Sequence, residues 1–146
     1  MPKKHITIYT DGSCSGNPGP GGWAALLIYS GSERVITGAE KLTTNNRMEL
    51  AAVVESLRVL KEPCNVRVFT DSAYIANAFN DNWIDAWIAR GWRTASKKPV
   101  KNQDLWKDML SLMEKHEVEF VKVKGHADDE LNNRVDGLAV EAMRLG

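Results

Sequence analysis

Residues 5–11, His5-Ile6-Thr7-Ile8-Tyr9-Thr10-Asp11, and residues 66–71, Val66-Arg67-Val68-Phe69-Thr70-Asp71, end on one shared phrase: an aromatic residue, Thr, then Asp. Both runs have strand character, and each Asp is followed by residues that stop strands, Gly12-Ser13 and Ser72. Residues two apart on a strand share a face, so Tyr9 points with Asp11 and Phe69 with Asp71. As parallel neighbours, the strands would lie about 4.8 Å apart, with two carboxylates side by side at their carboxyl ends. Open α/β sheets bind their ligands there. Two such carboxylates repel unless something positive sits between them, and a hard divalent cation with oxygen ligands is the simplest candidate. Each Asp taken singly also reads as a turn former or helix N-cap. The repetition weighs against that.

Working outward, residues 12–22 contain five glycines and two prolines and are expected to form a loop with special backbone angles. This is no Walker phosphate loop, because it lacks Gly-Lys-Ser/Thr and leads into a strand. Residues 23–29 read as a buried strand and 33–42 as a third, with a hairpin turn near Ser30-Gly31. Leu50, Val53, Val54, Leu57 and Leu60 recur at helical spacing and predict a helix over 46–61. Asn46 with Glu49 three residues on has the spacing of a capping box. Pro63 closes that region, and strand 65–70 follows. The passage from helix back to strand favours a parallel crossover onto the first strand.

Helices are expected at 72–81 and 83–90, the second with Trp83 and Trp87 one turn apart and stopped by Gly91. A basic loop with Pro99 leads to a helix over 102–115. A last strand spans 118–124, and Gly125 breaks it before the polar loop 126–130. Leu131, Val135, Leu138, Ala139 and Ala142 define a final helix reaching almost to Gly146.

At 146 residues, with hydrophobic residues 43% and charged residues 26%, one ordinary globular domain is expected. Nineteen basic residues balance nineteen acidic ones, so net charge selects no partner. The distribution does. Between Trp83 and Lys107 lie Arg90, Arg93, Lys97, Lys98, Lys101 and Lys107 against Asp85 and Asp104, a local excess of four that the rest of the chain offsets. Such asymmetry suits a polyanion at one end and metal ions at the other, although a solvated lysine-rich loop has the same composition. Cys14 and Cys64 fit reduced thiols better than a disulfide framework. Met1-Pro2-Lys3-Lys4 carries no signal-peptide pattern, and no apolar run is long enough to cross a membrane. A cytoplasmic location without membrane contact is therefore expected.

With these pieces placed, the chain closely resembles ribonuclease H of the bacterial type 1 class. The resemblance is carried by Tyr9-Thr10-Asp11-Gly12-Ser13-Cys14 with Asn17-Pro18-Gly19-Pro20-Gly21-Gly22, and by Thr43-Thr44-Asn45-Asn46-Arg47-Met48-Glu49-Leu50. Thr70-Asp71-Ser72, Arg90-Gly91-Trp92, Lys98-Pro99-Val100-Lys101-Asn102, Val123-Lys124-Gly125-His126-Ala127 and Asn133-Arg134-Val135-Asp136 complete it, in family order. It implies an α/β fold with a five-stranded mixed sheet, three antiparallel strands then parallel additions, flanked by about five helices. It implies a single domain over 1–146 with a basic handle at about 83–101. The activity it implies is endonucleolytic hydrolysis of the RNA strand of an RNA–DNA hybrid by a two-metal-ion mechanism. The products would carry 5′-phosphate and 3′-hydroxyl ends, and the enzyme is expected to be a monomer.

By motif position the resemblance also implies a four-carboxylate site of Asp11, Glu49, Asp71 and Asp136 holding two Mg²⁺ ions, with Mn²⁺ as a substitute, and a mobile histidine, His126. Asp11 would bridge the ions, Asp71 and Asp136 would serve the attacking-water side, and Glu49 the leaving-group side. Glu49 taken alone reads equally as a capping-box residue, and Asp136 as a surface-facing helical Asp. His126 would move protons or help product depart, and the acidic run Asp128-Asp129-Glu130 would tend to raise its pKa.

The resemblance implies that Cys14, Asn17, Asn45 and Asn46 reach the hybrid's minor groove, where 2′-hydroxyls distinguish RNA. Thr44 and Asn102 match two members of a pocket for a DNA phosphate. Trp83, Trp87, Lys97, Lys98 and Lys101 match the handle, an aromatic and cationic surface suited to a sugar-phosphate track. The sequence departs from the family pattern at four single positions and in one loop. Leu42 stands where an arginine is frequent, Ala73 where a glutamine is frequent, and Ile88 and Ala89 where lysines are common. The loop 126–130 also lacks the usual glycine and proline. A catalytically silent hybrid-binding module is disfavoured because all four carboxylates and the histidine are present. An integrase or junction resolvase would lack the Gly-Asn-Pro-Gly loop and the tryptophan-bearing handle.

Overall fold

The computed structural model describes residues 3–123 and 130–146. Its five strands are β1 (Lys4–Cys14), β2 (Gly19–Tyr29), β3 (Ser32–Thr43), β4 (Cys64–Thr70) and β5 (Glu117–Lys122). Its five helices are α1 (Asn45–Arg58), α2 (Ala73–Asn80), α3 (Trp83–Ala89), α4 (Gln103–Met113) and α5 (Glu130–Leu145). The sheet order is β3-β2-β1-β4-β5. β1, β2 and β3 form an antiparallel meander, and β4 and β5 add in parallel, as expected. Ser30 and Gly31 make the β2–β3 turn with φ of 49° and 85°, the left-handed pair that a two-residue hairpin needs.

The alternation of β1 and β4 sorts the two faces. Ile6, Ile8, Val66 and Val68 pack against Leu50, Val53, Val54 and Leu57 of α1, with Trp106 and Met109 of α4 closing the same core. Each such side chain contributes about 1.5–3 kcal/mol by leaving water. Tyr9 and Leu26 pack on the other face against Val135 of α5, with Phe69 alongside. β1 pairs with β4 in the register Tyr9↔Phe69, so the two shared phrases do lie level. No helix among the described residues is long and apolar enough to cross a membrane.

Several boundaries differ from the sequence expectation. Much of the glycine-rich stretch 12–22 is strand, leaving only 15–18 as loop. Gly16 in that loop does take a left-handed φ of 90°, whereas Gly12 and Gly22 mark close approach of helices. A Cβ on Gly12 would lie 2.5 Å from the Glu49 backbone nitrogen, and one on Gly22 would strike the α5 backbone at Ala139 and Met143. The expected capping box is also absent. Thr44 is the N-cap of α1, its hydroxyl accepting from the Arg47 N–H at 3.2 Å, so Asn46 and Glu49 lie inside the helix.

Helix α1 ends at Arg58, short of 61, because the approach to Pro63 disfavours helical backbone. α4 stops at Met113, short of 115. Two tight backbone turns there bring His116 into the core, where its Nδ1 accepts from the Cys64 N–H at 3.1 Å.

Candidate active site

Asp11 stands near the end of β1, and Asp71 one residue past the end of β4. Glu49 comes from the second turn of α1 and crosses to them over Gly12, whose missing side chain lets the helix close in. Gly12 also offers its backbone N–H to the Glu49 carboxylate. Carboxylate oxygens of Asp11, Glu49 and Asp71 lie within 4.8 Å of one another. Asp136, on the exposed side of α5, reaches the same cluster by hydrogen bonding to Asp11. Asp11, Glu49 and Asp71 therefore converge from two strand ends and one helix, and Asp136 of α5 stands beside Asp11 outside that group of three. His126 lies outside the described residues.

The cluster is electrostatically tense. Burial, then the facing Glu49 carboxylate, pushes Asp11 up to about 11. Burial and the Asp71 charge push Glu49 up to about 8, against the hydrogen bond from Asp11 that favours its ionised form. Glu49 Oε1 is buried with no hydrogen-bond partner among the described residues. Leaving such an atom unpaired costs about 1–3 kcal/mol. A hard cation relieves both penalties, and an all-oxygen anionic donor set is the kind such cations take. The acidic triad could hold a metal ion.

The rim is bound together by short links. The Cys14 thiol donates to the backbone carbonyls of Gly19 and Thr43 at 3.5 and 3.4 Å. Asn17 accepts from the Asn45 N–H at 3.3 Å, which pins the 15–18 loop to the start of α1. Asn45 and Asn46 are exposed there, and Leu42 beside them is exposed and offers no donor. Asn102 precedes α4 at a left-handed φ of 59° with its side chain free of any capping role.

Lys97, Lys98 and Lys101 are exposed along a turn closed by a bridge between Arg93 and Pro99. Trp83 is exposed on α3. Trp87 is half-buried and meets the fully buried Trp106 edge-on, with ring centroids 5.4 Å apart. Trp87 is thus as much a packing residue as a surface one.

Sequence reasoning passed over three residues. Trp106, unremarked in its helix, is the buried hub that Tyr74, Phe79 and Trp87 pack on. His116 carried no motif. Arg47 did carry a signal: a cation in the first turn of a helix opposes the helix dipole and calls for a specific partner.

A mixed sheet with an acidic cluster at its strand ends defines an α/β protein whose acids could hold a metal ion. The sequence profile of the family described as RNase H matches residues 3–144. The chain is 57% identical over 136 residues to the ribonuclease H of Caldicellulosiruptor saccharolyticus, covering 93% of this chain and 94% of the relative. It is 55% identical over 142 residues to that of Chlorobium luteolum, covering 97% of each. It superposes on the crystal structure of LC9-RNase H1, described as a type 1 RNase H with the type 2 active-site motif, with a TM-score of 0.87 and 34% identity. That match covers 99% of this chain and 74% of the other. The chain belongs to the ribonuclease H family.

Proposed function

We propose that this chain is a metal-dependent endoribonuclease that hydrolyses the RNA strand of RNA–DNA hybrids, leaving 5′-phosphate and 3′-hydroxyl ends. The observation that carries the reading is the convergence of Asp11, Glu49 and Asp71 within 4.8 Å, with Asp136 joined to Asp11. Asp11, Glu49, Asp71 and Asp136 would hold two Mg²⁺ ions, with Mn²⁺ able to substitute. When bound, such ions supply an activated attacking water and stabilise the leaving alkoxide. Burial of Asp11 and Glu49 excludes water from one side of the cluster, so the substrate phosphate approaches from the exposed side where Asp136 lies. His126 is assigned the proton-transfer role by its place in the motif Val123-Lys124-Gly125-His126-Ala127.

The rim of Cys14, Asn17, Asn45 and Asn46 would meet the hybrid's minor groove, with Thr44 and Asn102 on the DNA strand. Trp83, Trp87, Lys97, Lys98 and Lys101 would follow the sugar-phosphate track as a handle over about 83–101 of a single domain. The chain would act as a monomer in the cytoplasm.

The test is cleavage of a labelled RNA–DNA hybrid in Mg²⁺, run beside single-stranded RNA, duplex DNA and branched DNA. Cleavage confined to the hybrid's RNA strand is expected, and Asp11→Asn should abolish it while hybrid binding persists. Turnover by Asp11→Asn in Mg²⁺, or preference for branched DNA, would overturn the reading.

A further inference from the structure

The Arg47 guanidinium is spent inside the protein. Nη1 and Nη2 grip Asp104 at 3.1 and 2.8 Å, Nε faces Glu40 at 3.8 Å, and Nη1 also donates to Asn102 Oδ1 at 3.4 Å. Its own backbone N–H donates to the Thr44 hydroxyl at 3.2 Å. Two consequences follow from donor and acceptor identity. With Oδ1 of Asn102 held by the guanidinium, the amide NH₂ must point away, as a donor only. With the Thr44 oxygen accepting from Arg47, its hydroxyl proton is left to donate outward. Both side chains are half-buried, Thr44 at the start of α1 and Asn102 at the start of α4.

Two carboxylates stand beside them. Asp104 and Glu40 are side-chain exposed by 61% and 44%. Unmasked, they would repel any phosphate that the two donors attract. A planar bidentate fork cancels the Asp104 charge where a lysine would leave a point charge with looser geometry.

We propose that Arg47 is a positioning residue for a phosphate subsite formed by Thr44 and Asn102: its guanidinium orients Asn102 as a donor and masks Asp104 and Glu40 from the incoming DNA strand, while the backbone cap of α1 leaves the Thr44 hydroxyl free to donate. This rests on the hybrid-cleaving reading above. It adds that the subsite works through neutral donors in front of a neutralised cation, with Arg47 itself not touching the substrate.

The test measures kcat and KM on an RNA–DNA hybrid in Mg²⁺ for wild type, Arg47→Gln, Arg47→Lys and the double variant Arg47→Gln/Asp104→Asn, each with a thermal melt. Arg47→Gln should raise KM about tenfold, the scale of one hydrogen bond to a charged group, with kcat within about twofold. Arg47→Lys should raise KM by about threefold with its melting temperature held, which keeps the test alive if the glutamine variant folds poorly. The double variant should recover much of the KM loss, because the uncovered carboxylate is gone. A purely structural role would instead lower the melting temperature and kcat together and give no recovery. Either that pattern or an unchanged KM in both single variants overturns the inference alone, provided wild type cleaves the hybrid. Wild type that leaves the hybrid intact overturns the nuclease reading and this inference with it.

Discussion

Tyr9 and Phe69 lie face to face on neighbouring parallel strands, ring centroids 4.7 Å apart and planes 9° from parallel. They sit two residues before Asp11 and Asp71 on the same sheet face, so the stack fixes the separation of the carboxylates above it. A double-mutant cycle with Tyr9→Leu and Phe69→Leu should show a coupling of about 1 kcal/mol in urea unfolding, the usual scale for an aromatic pair. Additive losses would show that the stack is incidental to the register.

Gly12 is the hinge of access for Glu49. Gly12→Ala puts a Cβ 2.5 Å from the Glu49 nitrogen, where the neighbouring atoms are helix backbone and cannot swing aside. Overpacking of this kind costs about 1–3 kcal/mol, and Glu49 should be displaced from the cluster. Cleavage should fall much further than stability does. A variant with wild-type turnover would show that α1 has slack the structure does not suggest.

Metal-free stability should depend on pH through the cluster. Asp11 is pushed up to about 11 and Glu49 to about 8, so the folded state holds protons that the unfolded chain has already lost. Their folded pKa values are raised, so stability is fullest below the unfolded carboxylate range and declines as pH rises through about 8. The metal-free melting temperature should therefore fall between about pH 5 and about pH 9, from above the unfolded carboxylate values to past the folded value of Glu49. Mg²⁺ should raise it more at the alkaline end, and Asp11→Asn should flatten the metal-free slope. A profile equally steep in Asp11→Asn would point to another group.

His116 should act on the acid side. Burial, then the nearby Lys115 and Lys3 charges, holds its imidazole below the ordinary histidine value. The unfolded chain then binds a proton more readily than the folded one. The contribution is present above the unfolded value and lost as pH falls through the folded one. His116→Ala strands the Cys64 N–H and should cost about 1–3 kcal/mol at neutral pH, less at acid pH. The check is urea unfolding at both values; an equal loss at each would assign the effect to packing alone.

The strand phrases, the helical spacing of α1 and α5 and the hairpin at Ser30-Gly31 were legible because each depends on residues close in sequence. The grouping of Asp11, Glu49 and Asp71 was legible from the same motifs. The capping-box expectation for Glu49 failed because Asn46 and Thr44 are both capable caps, and local spacing cannot choose between them. The glycines of 12–22 look like loop formers until α1 and α5 are laid against them.

By itself the sequence determined which side chains are available and which local periodicities they obey, since those follow from backbone sterics and nearest neighbours. The tertiary structure alone decided that Gly12 admits Glu49, that Arg47 faces Asp104 and that Trp106 is a hub. Those facts depend on packing between segments distant in sequence, 57 residues apart for Arg47 and Asp104, whose meeting is set by the burial of whole faces rather than by any local preference.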